Sequence, residues 1–206
     1  MIGGMMLYPR IARIGDVDKL VADAEMVGYR EHMTQEHRIL FLSGVISGEM
    51  DSQNLLLALD SLSHEPIKIV ITSPGGDLDT TFLFIDTMKL IQSPVITIGR
   101  YCASAACLIL ASGKERYLFP HAKTMLHLAT GAMSGDYKDY AIQHKLMVSY
   151  QNKIVDILTE AGVKKSRDEI LIDIDRDFWL DPQECINYGL ADKVMEPEIW
   201  EEWINV

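Results

Sequence analysis

The run Gly99-Arg100-Tyr101-Cys102-Ala103-Ser104-Ala105-Ala106-Cys107-Leu108-Ile109-Leu110-Ala111-Ser112-Gly113 decides the fold. Val95-Ile96-Thr97-Ile98 leads into it and reads as a strand that ends at Gly99. Arg100 to Ala103 reads as a small-residue turn, and an apolar helical run then stops at Gly113. Ser104 therefore falls where a strand ends and a helix begins. A serine there accepts a backbone N–H as an N-cap. The same position sets Oγ beside orphan amides and the positive end of a helix dipole, and such amides can stabilise an oxyanion. Alone, this serine reads as a cap. A nucleophile needs a base, an orienting acid and a second amide donor elsewhere in the chain.

Upstream, Ile67-Lys68-Ile69-Val70-Ile71-Thr72 is β-branched and mostly apolar, as a strand covered on both faces is. Ser73-Pro74-Gly75-Gly76 is a turn signal. A helix over residues 77–91 follows, with Leu78, Phe82, Ile85 and Met88 at helical spacing and Asp77 and Asp79 at its positive end. Residues 38–42 read as a strand. Asp51 or Ser52 caps a helix to about Leu62. Residues 16–26 carry a weak helical period that Gly28 ends, and residues 29–37 form a separate short helix.

Downstream, residues 116–119 and 123–128 read as two short strands around Pro120-His121. A long helix is expected over residues 136–161, stopped by Gly162. Its apolar positions spread around more than one face, which predicts contact with something besides its own core. Asp181-Pro182-Gln183-Glu184 begins a helix with a cap, a proline and a glutamate three after the cap. Gly189 ends it, and residues 191–195 form a last strand. Strand and helix in alternation imply right-handed crossovers and a largely parallel α/β sheet. The organisation is an N-terminal arm over residues 1–28, one domain over 29–195, and an acidic tail over 196–206. Trp200 and Trp203 in the tail are expected to pack on their own domain.

The 206 residues are 48% hydrophobic and 24% charged, which suits one packed core. The net charge of −11 argues against nucleic acid or an anionic membrane surface as partner. Cys102, Cys107 and Cys185 form no C-x-x-C, so neither a zinc ribbon nor a disulfide scaffold is expected. His32 and His37 share no helix face, and no metal site is expected. The N-terminus does not read as a signal peptide, and no apolar run is long enough to span a bilayer. A reducing, cytoplasmic setting is expected, or an organelle matrix after removal of a transit segment.

His127 lies in the apolar run Thr124-Met125-Leu126-His127-Leu128, where a lone histidine reads first as a core residue. Asp177 lies in Asp173-Ile174-Asp175-Arg176-Asp177-Phe178-Trp179, an acidic run that reads first as a solvated face. The combination is more specific than its parts. A serine hydroxyl attacks once a neutral imidazole takes its proton, and a carboxylate fixes the imidazole tautomer and stabilises the imidazolium. Phe178-Trp179 would shield Asp177 from water. The amides of Gly75, Gly76 and Ala105 would hold the oxyanion.

The chain resembles ClpP-type peptidases, the proteolytic subunits of the Clp (caseinolytic) protease. The resemblance rests on Ser73-Pro74-Gly75-Gly76, Ala103-Ser104 with Gly113 nine residues on, Met125-Leu126-His127, and Asp175-Arg176-Asp177 followed by Pro182-Gln183-Glu184 and Tyr188-Gly189-Leu190. It covers residues 29–195. It implies a crotonase-like fold of stacked β-β-α units with a protruding handle helix over residues 136–161. Ser104 would be nucleophile, His127 base, Asp177 orienter, and Gly76 and Ala105 the oxyanion amides. Asp175 and Arg176 would pair between two stacked seven-membered rings. Unfolded proteins would be the substrates, delivered by an AAA+ Clp unfoldase that consumes ATP. This chain shows no Walker loop, and by the resemblance it would itself need no cofactor.

Three departures stand out. Arg100-Tyr101-Cys102 is one residue longer, counted from Gly99, than the family's approach to the serine. Leu128-Ala129 replaces the usual Gln-Pro after the histidine. Lys68 and Val70 stand where two tyrosines commonly line the unfoldase-docking pocket, and a lysine there would weaken docking of an apolar loop. Two other readings remain: a catalytically silent subunit of a mixed ring with a paralogue, and a crotonase-fold acyl-CoA enzyme. Gly-x-Ser-x-Gly is absent, against an α/β-hydrolase elbow.

Overall fold

The computed structural model describes residues 16–48 and 52–204. Four parallel strands form the spine: β1 (Ile39–Ser43), β2 (Ile67–Ser73), β3 (Val95–Ala103) and β4 (Glu115–Leu126). The far edge of β4 carries two short strands. β5 (Phe178–Leu180) runs antiparallel to its second half, and β6 (Lys193–Val194) runs parallel to its first. Helices α2 (Ser52–Leu62), α3 (Leu78–Leu90) and α4 (Ala105–Ala111) cross between the strands. This is the α/β crossover architecture expected from the sequence rhythm.

Apolar side chains cover both faces of the sheet, as its β-branched strands require. On one face Leu56, Phe84, Ile85, Leu108, Ile109 and Leu158 pack with Ile69 and Ile71. On the other, Val70, Ile96, Ile98 and Tyr117 pack with Met33, Trp200 and Trp203. Met33 comes from α1 (Asp16–His37) and the tryptophans from α8 (Pro197–Ile204). The Trp203 ring stands edge-on to Tyr117 at 5.3 Å, so the tail folds back on its own domain.

Two expectations at the N-terminus change: the helix ended by Gly28 and the separate helix over residues 29–37 are one element. Gly28 does not end a helix; α1 runs through it to His37. An interior glycine costs a helix only about 1 kcal/mol, which the packing of Met33 against the sheet offsets. The arm's first fifteen residues, and Asp51 as a cap for α2, lie outside the described residues.

Capping chemistry sets the other boundaries. α5 (Tyr137–Glu160) starts at Asp136, whose carboxylate accepts from Lys138 N and Asp139 N. Its second half is anchored by Ile154, Val155 and Leu158, while Tyr137, Tyr140 and Ile142 in its first half are exposed. α7 (Pro182–Tyr188) has the capping box expected at Asp181 and Glu184 and ends at Gly189 with φ +98°. α6 (Arg167–Asp173) carries a further capping box at Ser166 and Glu169. Residues 116–119 and 123–128 are not two strands but one, β4, interrupted in its pairing between Leu118 and Lys123.

Candidate active site

β3 does not end at Gly99. It continues to Ala103, and its register with both neighbours shifts at Arg100: Gly99 pairs with Leu118 and Ile71, and Tyr101 with Lys123 and Thr72. The extra residue of this segment is thus absorbed as a β-bulge. A bulge adds one residue and re-aims the strand beyond it while the flanking pairs persist. Ser104 is therefore delivered from a paired strand end and not from a free turn.

Ser104 leaves that strand at φ +56° and ψ −127°. A serine in this region stores about 1–3 kcal/mol of strain and persists only where its surroundings dictate it. Its N–H donates to Met125 O at 2.7 Å. The expected N-cap bond is absent: the Ser104 side chain makes no cap to α4. The turn that positions it also swings Oγ away from the helix amides. Oγ instead meets Nε2 of His127 at 2.7 Å.

His127 is the first residue beyond β4, half-buried like Ser104. The segment after it is pinned. Leu128 N donates to Ile174 O at 3.0 Å, and Ala129 N donates to Gln151 Oε1 of α5 at 2.8 Å. Leu128-Ala129 therefore retains a fixed course. The pair lines a cleft of about 40 Å³ with Gly76, Leu78, Ala105, Leu108, Leu126 and Ile154.

The turn after β2 closes over the same point. Ser73 Oγ accepts from Gly75 N at 3.1 Å, and Ile46 brackets Gly76 by donating to Gly75 O and accepting from Asp77 N, each at 2.9 Å. Gly75 has φ +92°, and a Cβ on it would lie 2.6 Å from Ala103 O and 2.7 Å from Ser104 Cβ. Only glycine fits so close to the serine. The Gly75 amide thus already has a partner in the Ser73 hydroxyl. Gly76 N and Ala105 N, the first amide of α4, make no hydrogen bond among the described residues, and both residues line the cleft.

Asp177 stands apart. Leu126 pairs with Phe178 across β4 and β5, and one further step in that register brings Asp177 opposite His127. Yet its side chain is exposed, and among the described residues no hydrogen bond joins it to His127. Phe178 and Trp179 do not shield it. Its neighbours Asp175 and Arg176 are exposed and pair with each other at 3.2 Å. Asp173 accepts from Tyr188 Oη at 3.1 Å. At the other expected departure, Val70 is buried, and Lys68 Nζ donates to His37 O at 3.3 Å and lies 5.7 Å over the Trp203 ring. Among the described residues, no cluster of three or more His, Cys, Asp or Glu side chains could hold a metal, and no helix is long and apolar enough to cross a membrane.

A serine on a strained strand-to-helix turn, hydrogen-bonded to a histidine and flanked by free amides, is an arrangement that can carry out nucleophilic acyl transfer. The family model described as Clp protease matches residues 24–198. The chain is 34% identical over 167 residues to the ATP-dependent Clp protease proteolytic subunit 1 of Rhodopirellula baltica, covering 78% of this chain and 73% of that one. It is 34% identical over 188 residues to the subunit 1 of Protochlamydia amoebophila, covering 87% and 91%. It is 32% identical over 181 residues to the chloroplastic subunit 4 of Arabidopsis thaliana, covering 85% and 60%. The chain belongs to the Clp protease family and is a serine-type peptidase.

Sequence reasoning missed three contributors to the site. The bulge at Arg100 leaves no signal beyond one surplus residue. Gln151 is one polar side chain in a long helix, with nothing local to tie it to Ala129. Ser73 reads as a turn former, and its service to Gly75 N depends on the turn's closure.

Proposed function

We propose that the chain is a serine endopeptidase that cleaves unfolded proteins inside a closed ring assembly. The 2.7 Å bond between His127 Nε2 and Ser104 Oγ carries this reading. With Nε2 as acceptor, the Ser104 hydroxyl proton passes to His127 as Oγ bonds to the peptide carbonyl carbon. The carbonyl oxygen becomes an oxyanion held by Gly76 N and Ala105 N. Collapse breaks the C–N bond, and His127 returns the proton to the leaving amine. Water then repeats the sequence on the acyl-enzyme. Asp177 is the orienter in this reading. It acts when the turn between α6 and β5 closes on His127, and the antiparallel register supports that approach.

The exposed Tyr137, Tyr140, Ile142 and Leu146 of α5 support a contact with a second copy, as two stacked seven-membered rings require. Asp175 and Arg176, both exposed, are free to exchange partners between rings. The words "ATP-dependent" and "proteolytic subunit" in the relatives' names support an AAA+ Clp unfoldase that consumes ATP elsewhere, with no cofactor in this chain. Numbered subunits among them support a mixed ring as the alternative to a homo-oligomer. The setting proposed is the cytoplasm. One observation favours a second reading, a silent subunit in a mixed ring: Asp177 is exposed and unbonded to His127.

Hydrolysis of a fluorogenic peptide and of unfolded casein, with light scattering on the same sample, separates these readings. Activity in a large ring, lost in Ser104→Ala, is expected. Activity confined to a monomer contradicts the chamber, and an inactive assembled ring supports the silent subunit.

A further inference from the structure

The two strands that deliver Ser104 and His127 meet at one buried thiol. Cys107, in the first turn of α4, has no exposed surface. Its Sγ lies 2.8 Å from Cys102 O and 3.2 Å from Met125 O. Cys102 stands two residues before the serine, and Met125 two residues before the histidine. The β3–β4 ladder ends at the Ala103–Met125 pair, so beyond this rung no strand pairing holds the two side chains in register. Met125 O also accepts from Ser104 N at 2.7 Å, and Cys107 N donates to Ser104 O at 3.0 Å. The strained Ser104 peptide is thus gripped on both sides by groups that Cys107 either provides or shares. Burial pushes the Cys107 thiol well up, which keeps it protonated and a donor.

We propose that Cys107 is a positioning residue for the Ser104–His127 pair: its thiol, set between the Cys102 and Met125 carbonyls, holds the end of β3 against the end of β4 so that Oγ and Nε2 meet. Cys107 touches neither substrate nor the reacting atoms. The inference rests on the peptidase reading above. It differs from a packing role because packing alone predicts loss of stability with unchanged kinetics in the molecules that remain folded. Cys185 supplies the contrast. It is equally buried, but its thiol pairs with the Thr124 hydroxyl at 2.7 Å and with neither carbonyl.

The test compares the rate at which a fluorophosphonate labels Ser104, together with kcat and KM on a peptide, in wild type, Cys107→Ala, Cys107→Val, Cys107→Ser and Cys185→Ala. All rates are referred to the folded fraction measured by circular dichroism. Small misplacements of reacting groups cost rate steeply, so the two donor-less variants are expected to lose about tenfold in labelling rate and kcat with KM unchanged. Cys107→Ser keeps a donor and is expected within about threefold of wild type. Cys185→Ala is expected to match wild type in rate even where its stability falls. Wild-type rates in either folded donor-less variant overturn the inference and leave the peptidase reading standing. An unlabelled wild type overturns both. Should neither donor-less variant fold, the Raman S–H stretch of wild type, assigned by its loss in Cys107→Ser, decides. A band lowered by hydrogen bonding supports the inference, and a band at the free-thiol position overturns it.

Discussion

Ser104 and Asp177 both follow directly on the end of a regular element or precede one, yet their surroundings differ. Ser104 leaves β3 with its N–H on Met125 O, its carbonyl on Cys107 N, and Gly75 pressed against its Cβ. Asp177 follows α6 through a short turn in which Asp175 and Arg176 pair with each other, and its side chain is exposed. Strain at the serine can persist because neighbouring elements dictate it. At the aspartate the β4–β5 register and the bond from Leu128 N to Ile174 O bring the chain near His127, and backbone contacts of this kind place a chain without orienting a side chain. The Ser104–His127 half of the candidate site is built within the single chain, and the Asp177 half is left open.

The largest effect expected on this contrast is at its built end. Ser104→Ala should lower peptide turnover by about 10⁶-fold, because loss of the nucleophile leaves only binding and the oxyanion amides. A residual rate within a hundredfold of wild type, in protein free of contaminating peptidase, would move the nucleophile elsewhere. At the open end, Asp177→Asn should cost about 10³- to 10⁴-fold if the carboxylate closes on His127 during turnover. Its urea midpoint should stay at the wild-type value, since the side chain is exposed. A loss under about threefold would break the triad and leave Ser104 and His127 as a dyad.

Gly75→Ala probes the wall between the two loops. A Cβ there meets Ala103 O and Ala105 N as well as the serine, so the Ala105 amide, one of the two proposed oxyanion donors, must shift. A fall of about 10²-fold in kcat is expected, with a smaller change in KM. The smallest effect lies away from both ends. Asp60 accepts from the Ser93 backbone and hydroxyl, from His64 and from Gln92 N, and the Ser93 amide foremost draws its carboxyl down from 3.8 to about 2. A carboxyl depressed in the folded state stabilises it above the unfolded value, and that contribution fades as pH falls through about 2. Urea titrations between pH 5 and about pH 2 should show a shallower acid loss in Asp60→Asn than in wild type. Equal slopes would remove Asp60 from the acid limb.

Much of the fold is legible in the sequence where a local rule acts. Asp136, Asp181 with Pro182 and Glu184, and Gly189 set helix ends through contacts within four residues. The β-branched runs of β2 and β3 need only their own composition to read as buried strands. The features that could not be read depend on distant groups. Arg100 becomes a bulge because β2 and β4 both keep their pairing on either side of it. α1 passes Gly28 because the sheet needs a cover on its second face, which the tail's Trp200 and Trp203 share as their sequence predicts. At the site, the residue types identify Ser104, His127 and Gly76 correctly as neighbours. The same reasoning assigns Ser104 a capping bond that its side chain does not make. It also assigns Gly75 an amide that Ser73 occupies.

The central claim is that His127 activates Ser104 in the chain as folded. Treatment of the assembled protein with a fluorophosphonate, with mass spectrometry of the digest, tests it most directly. A single adduct on Ser104 that disappears in His127→Ala is the predicted result. An unmodified Ser104 in assembled wild type, or an adduct that forms as fast without His127, would contradict it.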